Sequence, residues 1–345
     1  MLKCKYTFHF IFLVVFISAI ACNNIKPHAE TVSPVDADLA YKSINDSILQ
    51  FPADASLYFR RANRLTQENK HELAYADFKK ARILNPALEV ALSFSANMEI
   101  LGMQKERLLL LDTLHMQHPA DVQVARLLAE AHTNTGSIHQ ALRMYDDLLL
   151  KDSTDAETYY EKAMLLEQKL NDTAGAIACL QKAYAIRGVD TYGLELAHLY
   201  AEQKNPRALE ICDFILKTDT DHLLIDPLFI KGIYYANMKQ YPQAIGQFDI
   251  CIQRDWKTTD AYLEKGRAYY HMKNYNAAIQ TFNMAVTVSN SDPDAYYWLG
   301  RCYESLHKIS EALNDYHKAL SLDHTFNEAR ERINRLDSGF AEPDR

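Results

Sequence analysis

Residues 259–292 read TDAYLEKGRAYYHMKNYNAAIQTFNMAVTVSNSD, and residues 293–326 read PDAYYWLGRCYESLHKISEALNDYHKALSLDHTF. Laid one above the other without a gap, Tyr262 meets Tyr296, Gly266 meets Gly300, Tyr269 meets Tyr303, Ala278 meets Ala312, Phe282 meets Tyr316 and Ala285 meets Ala319. Small and large residues thus alternate at the spacing of two amphipathic helices, and each window is one helix hairpin. Followed from Gly266 toward the N-terminus, the small residue recurs at Gly232, Ala197, Ala163, Ala129, Ala96 and Ala62, at intervals of 34, 35, 34, 34, 33 and 34 residues. A hairpin this short cannot bury its own apolar face, so successive copies must stack. The chain is therefore expected to be all-α, an array that presents a long surface for recognition.

Composition agrees with a folded helical chain. Hydrophobic residues make up 48% of the 345 residues, with only 10 Gly and 10 Pro and 24% charged side chains, which argues against disorder. A formal net charge of -8 and the lack of any Lys/Arg run argue against nucleic acid as a partner, since phosphates need a basic stripe. No glycine-rich phosphate loop, GxSxG elbow or HExxH helix occurs, so the chain is not expected to be an enzyme. His115 and His118 lie three apart but have no further His or Cys beside them in sequence, so no metal and no cofactor is expected.

The N-terminus reads as an export signal. Lys3 and Lys5 precede an apolar run from Phe8 to Ala21, interrupted by His9, that is shorter than the roughly 20 residues a membrane-spanning helix needs. It ends in Ala19-Ile20-Ala21-Cys22, which resembles the lipobox of bacterial lipoproteins. That resemblance implies removal of residues 1–21 and lipidation of Cys22, giving a membrane partner through the lipid. Residues 22–36 carry Pro27 and Pro34 with no helical period and read as a tether. A capping helix is expected within 37–54, with Leu39, Ala40, Ile44, Ile48 and Leu49 on its apolar side. A second is expected within 327–345, where Ala329, Ile333 and Leu336 make one stripe with Phe326.

The eight windows 55–88, 89–121, 122–155, 156–189, 190–224, 225–258, 259–292 and 293–326 resemble the tetratricopeptide repeat. In the first, Tyr58, Ala62, Leu65, Ala74, Phe78, Ala81 and Pro86 fall at the large, small and proline positions of that family. The resemblance implies a right-handed α-solenoid of about eight repeats with capping helices at both ends. Repeat two departs from the pattern. Arg107 takes the small position of its second helix, Leu111 and Leu114 replace the aromatic and the alanine, and one residue is missing, so a local distortion is expected there. Asp226-Pro227 and Asp292-Pro293 are expected to place an aspartate at the N-cap of a first helix.

In that family the first helices line a concave groove, which implies a polypeptide client and a scaffold or adaptor function in the bacterial envelope. The implied groove residues are Asn63, Arg126, Tyr160, Phe229, Arg267, Tyr270, Tyr297 and Arg301. Phe229, Ile233 and Leu263 read equally as helix-to-helix core contacts. Alanine at both Phe229 and Tyr297 is expected to weaken binding without unfolding the array. The Lys/Asn pattern with which some family members clamp a terminal carboxylate is not present, since Phe59 and Asn63 supply only half of the first pair. Two other readings stay open, a glycan- or nutrient-binding surface lipoprotein, suggested by 21 Tyr, 14 Phe and 2 Trp, and a structural spacer without a client. Asn23 after Cys22 favours the outer membrane, facing the periplasm or the exterior. Cys179, Cys212, Cys251 and Cys302 read as buried thiols, with a bridge such as Cys179 to Cys212 the alternative.

Overall fold

A computed structural model describes residues 39–338; the expected signal peptide at 1–21, Cys22, the tether at 22–36 and the end of the C-terminal tail lie outside the described residues. Every regular element among the described residues is helical, and the fold class is an all-α repeat solenoid. The chain divides into two compact units, Met1–Leu101 and Gly102–Arg345. The division falls inside the second repeat, between its two helices, where the sequence departs from the small-and-large pattern.

In the first unit a turn of 3-10 helix at Leu39–Tyr41 leads into α1 (Lys42–Gln50), followed by α2 (Ala55–Gln67), α3 (His71–Leu84) and α4 (Leu88–Ile100). Asp54 caps α2 by accepting from the Ser56 amide at 2.9 Å. Ala62 is fully buried against the α2–α3 hairpin, whose aromatic Phe78 is 2% exposed. The cap helix keeps part of the expected stripe, with Ile44 and Ile48 half-buried, but its most buried positions are not the expected ones. Leu39 and Leu49 are exposed, while Tyr41 and Asn45, four apart, are buried. The reason is polar: Arg61 forks onto Asp77 (Nε to Oδ2 2.6 Å, Nη2 to Oδ1 2.8 Å) and donates its third bond to Asn45 Oδ1 at 2.8 Å. A guanidinium buried between helices needs all its donors met, and α1 rotates to supply an acceptor.

The second unit contains α5 (Gln104–Gln117), α6 (Val122–Asn134), α7 (Ile138–Lys151), α8 (Ala156–Leu170), α9 (Thr173–Ile186), α10 (Asp190–Glu202), α11 (Arg207–Thr218) and α12 (Asp226–Asn237). It continues with α13 (Tyr241–Arg254), α14 (Thr259–His271), α15 (Tyr275–Val288), α16 (Pro293–Ser305), α17 (Ile309–Leu322) and α18 (Asn327–Asp337). Pairs from α6–α7 to α16–α17 pack as hairpins, the first helices α6 and α8, α10 and α12, α12 and α14, and α14 and α16 touch, and α8 meets α10 through the rings of Tyr160 and Tyr192. At the hairpin crossings Gly232, Gly266 and Gly300 face the rings of Phe248, Phe282 and Tyr316; a Cβ built on Gly266 would lie 2.5 Å from Phe282 and one on Gly300 2.6 Å from Tyr316. Helix–helix approach is set here by the absence of a methyl group.

Arg107, which opens this unit's departure from the pattern, is fully buried and reaches Glu130 at 2.7 Å. Asp292 caps α16 through the Asp294 amide at 2.9 Å, as the Asp-Pro pair predicts. Asp226 does not cap: α12 begins at Asp226 itself and its carboxylate lies in the first turn, because the longer connection after α11 arrives through Ile225. That connection is pinned by Asp219, whose carboxylate accepts from the Leu223 and Leu224 amides (2.8 and 3.2 Å) and from Arg254 (2.7 Å). The four cysteines are free thiols, and burial pushes those of Cys212, Cys251 and Cys302 up to about 12.

Candidate functional site

Of the residues implied for the groove, Asn63 is half-buried on α2 in the first unit, and the others stand on first helices of the second. Arg126 on α6 bridges to α8, where it pairs with Asp155 at 3.6 Å and with Glu157. Tyr160 on α8 is half-buried, its ring 5.0 Å from Tyr192 on α10. Met164 on α8 and Leu194 on α10 are also half-buried. These side chains lie on adjoining helices and remain accessible.

Phe229 is placed otherwise. It is 5% exposed, with its ring 5.6 Å from Phe248, and Ile233 and Leu263 are buried with it as core contacts. Tyr270 and Tyr297 are 9% and 7% exposed. The expectation that alanine at Phe229 and Tyr297 would leave the array intact is corrected accordingly: truncating a buried aromatic costs about 3–5 kcal/mol, because the neighbours relax only partly into the cavity.

Arg267, Tyr270, Tyr297 and Arg301 do come together, and what gathers them is Trp298 on α16, a residue that the repeat pattern does not single out. The Arg267 guanidinium lies 5.2 Å from the Trp298 ring and pairs with Glu264 at 2.6 Å. Arg301 donates to Tyr270 Oη at 2.9 Å and to Tyr297 Oη at 3.3 Å, and sits 5.8 Å from Trp298. Tyr270 and Ser305 share a further hydrogen bond at 3.2 Å. Two planar cations stacked on one indole make a rigid cation–π cluster at the α14–α16 junction. Burial, helped by Arg267, Arg301 and Lys239, holds the nearby His271 below its ordinary range, so it is neutral at pH 7.

The remaining electrostatics are acidic. Glu161 on α8 is pushed up to about 8, first by burial and then by Glu130, Glu157 and Asp155, against the pull of Arg126. Glu195 on α10 is raised by burial and by Asp226 of α12; Glu202 is raised by crowding and by Glu167 of α8. Asp294 is pushed up to about 6 by protein crowding and by Asp292, Glu328 and Asp260. Asp226 and Asp260 are likewise raised by the protein packed around them, although these two side chains and that of Asp294 are solvent-exposed. The sequence carries one hint of this field. The stretch DTYGLELAHLYAE of α10 holds three carboxylates and no Lys or Arg.

Family models of the tetratricopeptide repeat match residues 156–189 and 293–326, and a TPR repeat model matches 266–307. No curated protein matches the chain. Among solved structures, the chain is similar to one of the APC/C hetero-tetramer Cut9–Hcn1, with a TM-score of 0.53 at 18% identity over 86% of this chain. It spans 58% of the length of that structure's chain. It is also similar to PilW, described as a widely conserved type IV pilus biogenesis factor, with a TM-score of 0.53 at 15% identity over 62% of this chain and 98% of that one. At such identities the likeness is one of fold.

Proposed function

The chain is a tetratricopeptide-repeat protein, a fold generally used for non-catalytic scaffolds that bind polypeptides, and from that premise we propose that it is a lipid-anchored scaffold of the bacterial envelope. Its client is a polypeptide segment held on the adjoining first helices of the second unit. The observation that carries this reading is the row of half-buried Tyr160, Met164 and Leu194 across α8 and α10. Apolar side chains left partly in water on touching helices give a partner area to cover, and aromatic anchors supply much of the energy of such contacts. Attachment through Cys22 and the tether would keep the client near the membrane at raised effective concentration. Lys3, Lys5, the apolar run and the small residues before Cys22 support that anchor, and Asn23 supports an outer-membrane destination.

The test places a photo-crosslinking amino acid at Leu194 and, separately, at Asp147 on the exposed side of α7, in cells that produce the full chain. A polypeptide trapped from position 194 but not from 147 supports the scaffold. Identical products at both positions, or none at 194, overturn it. Cys22→Ala should move the protein from the membrane fraction to the soluble fraction; retention in the membrane would remove the lipid anchor from the reading.

A further inference from the structure

The acidic field over α8, α10 and α12 meets Arg126 at its Glu161 end, while the first-helix lysines are turned elsewhere. Lys162 of α8 reaches back to Asp146 of α7 at 2.5 Å, and Lys231 of α12 reaches Asp213 of α11 at 2.6 Å. Lys265 of α14 repeats the arrangement with Asp249 of α13 at 2.6 Å. In each case the first-helix cation is spent on the second helix of the preceding hairpin. On the other side, carboxylates neighbour carboxylates: after burial, Glu167 of α8 raises Glu202 of α10, and Asp226 of α12 raises Glu195 of α10. Like charges held across a helix junction oppose each other. One oxygen of Glu161 and one of Glu167 are also closed to solvent without a hydrogen-bond donor among the described residues, which is costly for a carboxylate. Half-buried Tyr160, Met164 and Leu194 lie on α8 and α10, the helices that carry all of these acids but Asp226.

We propose that this face takes a lysine- or arginine-rich polypeptide segment, whose cations settle between the pairs Glu167/Glu202 and Glu195/Asp226 while its apolar residues cover Tyr160, Met164 and Leu194. The inference rests on the scaffold reading and gives its client a chemistry. Charge complementarity of this kind sets partner choice and association rate more than total affinity. A cation placed between two neighbouring carboxylates relieves their repulsion, and at the first pair it can also meet the unsatisfied oxygen of Glu167.

The experiment uses the full chain in mild detergent and a short fluorescein-labelled peptide alternating lysine with leucine and serine. Two further peptides replace every lysine by glutamine or by glutamate. Fluorescence anisotropy at physiological salt should show the lysine peptide binding and the other two not. The variant Glu167→Gln/Glu195→Gln/Glu202→Gln should weaken binding by about tenfold or more. The control Asp147→Asn/Glu210→Gln/Asp221→Asn, which removes the same charge from exposed positions off this face, should stay within about twofold of wild type. Far-UV circular dichroism checks the fold of each variant, and the exposed pair Glu202→Gln/Asp226→Asn replaces the triple variant if that one misfolds. Equal loss in the groove and control variants would mean general attraction to an acidic chain and overturn the proposal, as would no binding of the lysine peptide. If the crosslinker at Leu194 traps a client whose contacting segment is not basic, this inference fails while the scaffold reading stands. If nothing is trapped there, the scaffold reading fails first.

Discussion

The interlock of one ring against one missing methyl sets the hairpin geometry at Gly266, where an added Cβ would meet fully buried Phe282 at 2.5 Å. Gly266→Ala gains helix propensity worth about 1 kcal/mol, but overpacking costs about 1–3 kcal/mol, so the net effect should be a lower unfolding midpoint. Phe282→Leu in the same chain frees the space and should return part of the loss. A double-mutant cycle in urea should therefore give a coupling of about 1 kcal/mol or more, and strict additivity would show that the ring moves aside without cost. Glu161 acts at the same scale through its proton. Its carboxyl is raised from 4.5 to about 8 by burial, so the folded state keeps a proton that the unfolded state gives up across that range. Stability therefore falls as pH rises from about 4.5 to 8, with a slope of up to about 1.4 kcal/mol per pH unit. Glu161→Gln should flatten that slope, leaving the variant closer to or above wild type at pH 8 and no better at pH 5. A wild-type stability that rises between pH 5 and 8 and is unchanged in slope by the substitution would refute the assignment.

Between the helices of each hairpin the chain makes the same tight turn, and the turn needs a residue with positive φ. Gly102 and Gly136 fill that place in two hairpins, whereas Lys204, Lys239, Lys273 and His307 do so at φ of 57°, 59°, 60° and 58°. A side chain in that region costs about 1–2 kcal/mol, of which glycine's greater freedom in the unfolded chain returns about 0.4–1 kcal/mol. Lys239→Gly with Lys273→Gly should therefore raise the unfolding midpoint measured by calorimetry, and a fall would mean that the lysines make compensating contacts. These turns also show what could be read from sequence at this scale. The helix pairs were legible because small and large residues recur at a fixed interval, and that interval survives changes of residue type. That Tyr41 and Asn45 are the most buried positions of the cap was not legible, because the buried Arg61 needs an acceptor from Asn45, a requirement set by a partner sixteen residues away. The burial of Tyr270 and Tyr297 was hidden for a related reason, whereas that of Phe229 is one of the two readings its sequence position allows. A repeat position says which face of its own helix a residue occupies, and how closely the next first helix approaches is decided between hairpins.

Across the whole chain the same limit separates fold from function. The acidic field was hidden in sequence because Glu195 and Asp226, or Glu167 and Glu202, become neighbours only when hairpins stack, whereas the Gly and Ala period lies along the chain. Arg107 and the shortened second repeat were the one legible mark of the division between units, since a buried cation cannot replace alanine without a new partner, here Glu130. A chain of net charge -8 whose first-helix carboxylates repel carries excess negative charge beside its ion pairs, of which the lysine pairs are partly exposed. Exposed ion pairs contribute about 0–1 kcal/mol each and are screened as readily as the repulsion is. Raising the salt from about 0.01 M to 0.15 M shortens the screening length from about 30 Å to 8 Å, so it weakens longer-range repulsions more than close ion pairs. The unfolding midpoint at pH 8 should therefore rise with salt, by a few degrees for each kcal/mol of relieved repulsion. At pH 5 the rise should be smaller, because Glu161, at about 8, and Asp294 and Asp315, at about 6, are then protonated and repel nothing. Scanning calorimetry over both series decides it: a midpoint that falls with salt at pH 8 would show that the ion pairs dominate, and would remove the uncompensated field on which recognition of a basic client depends.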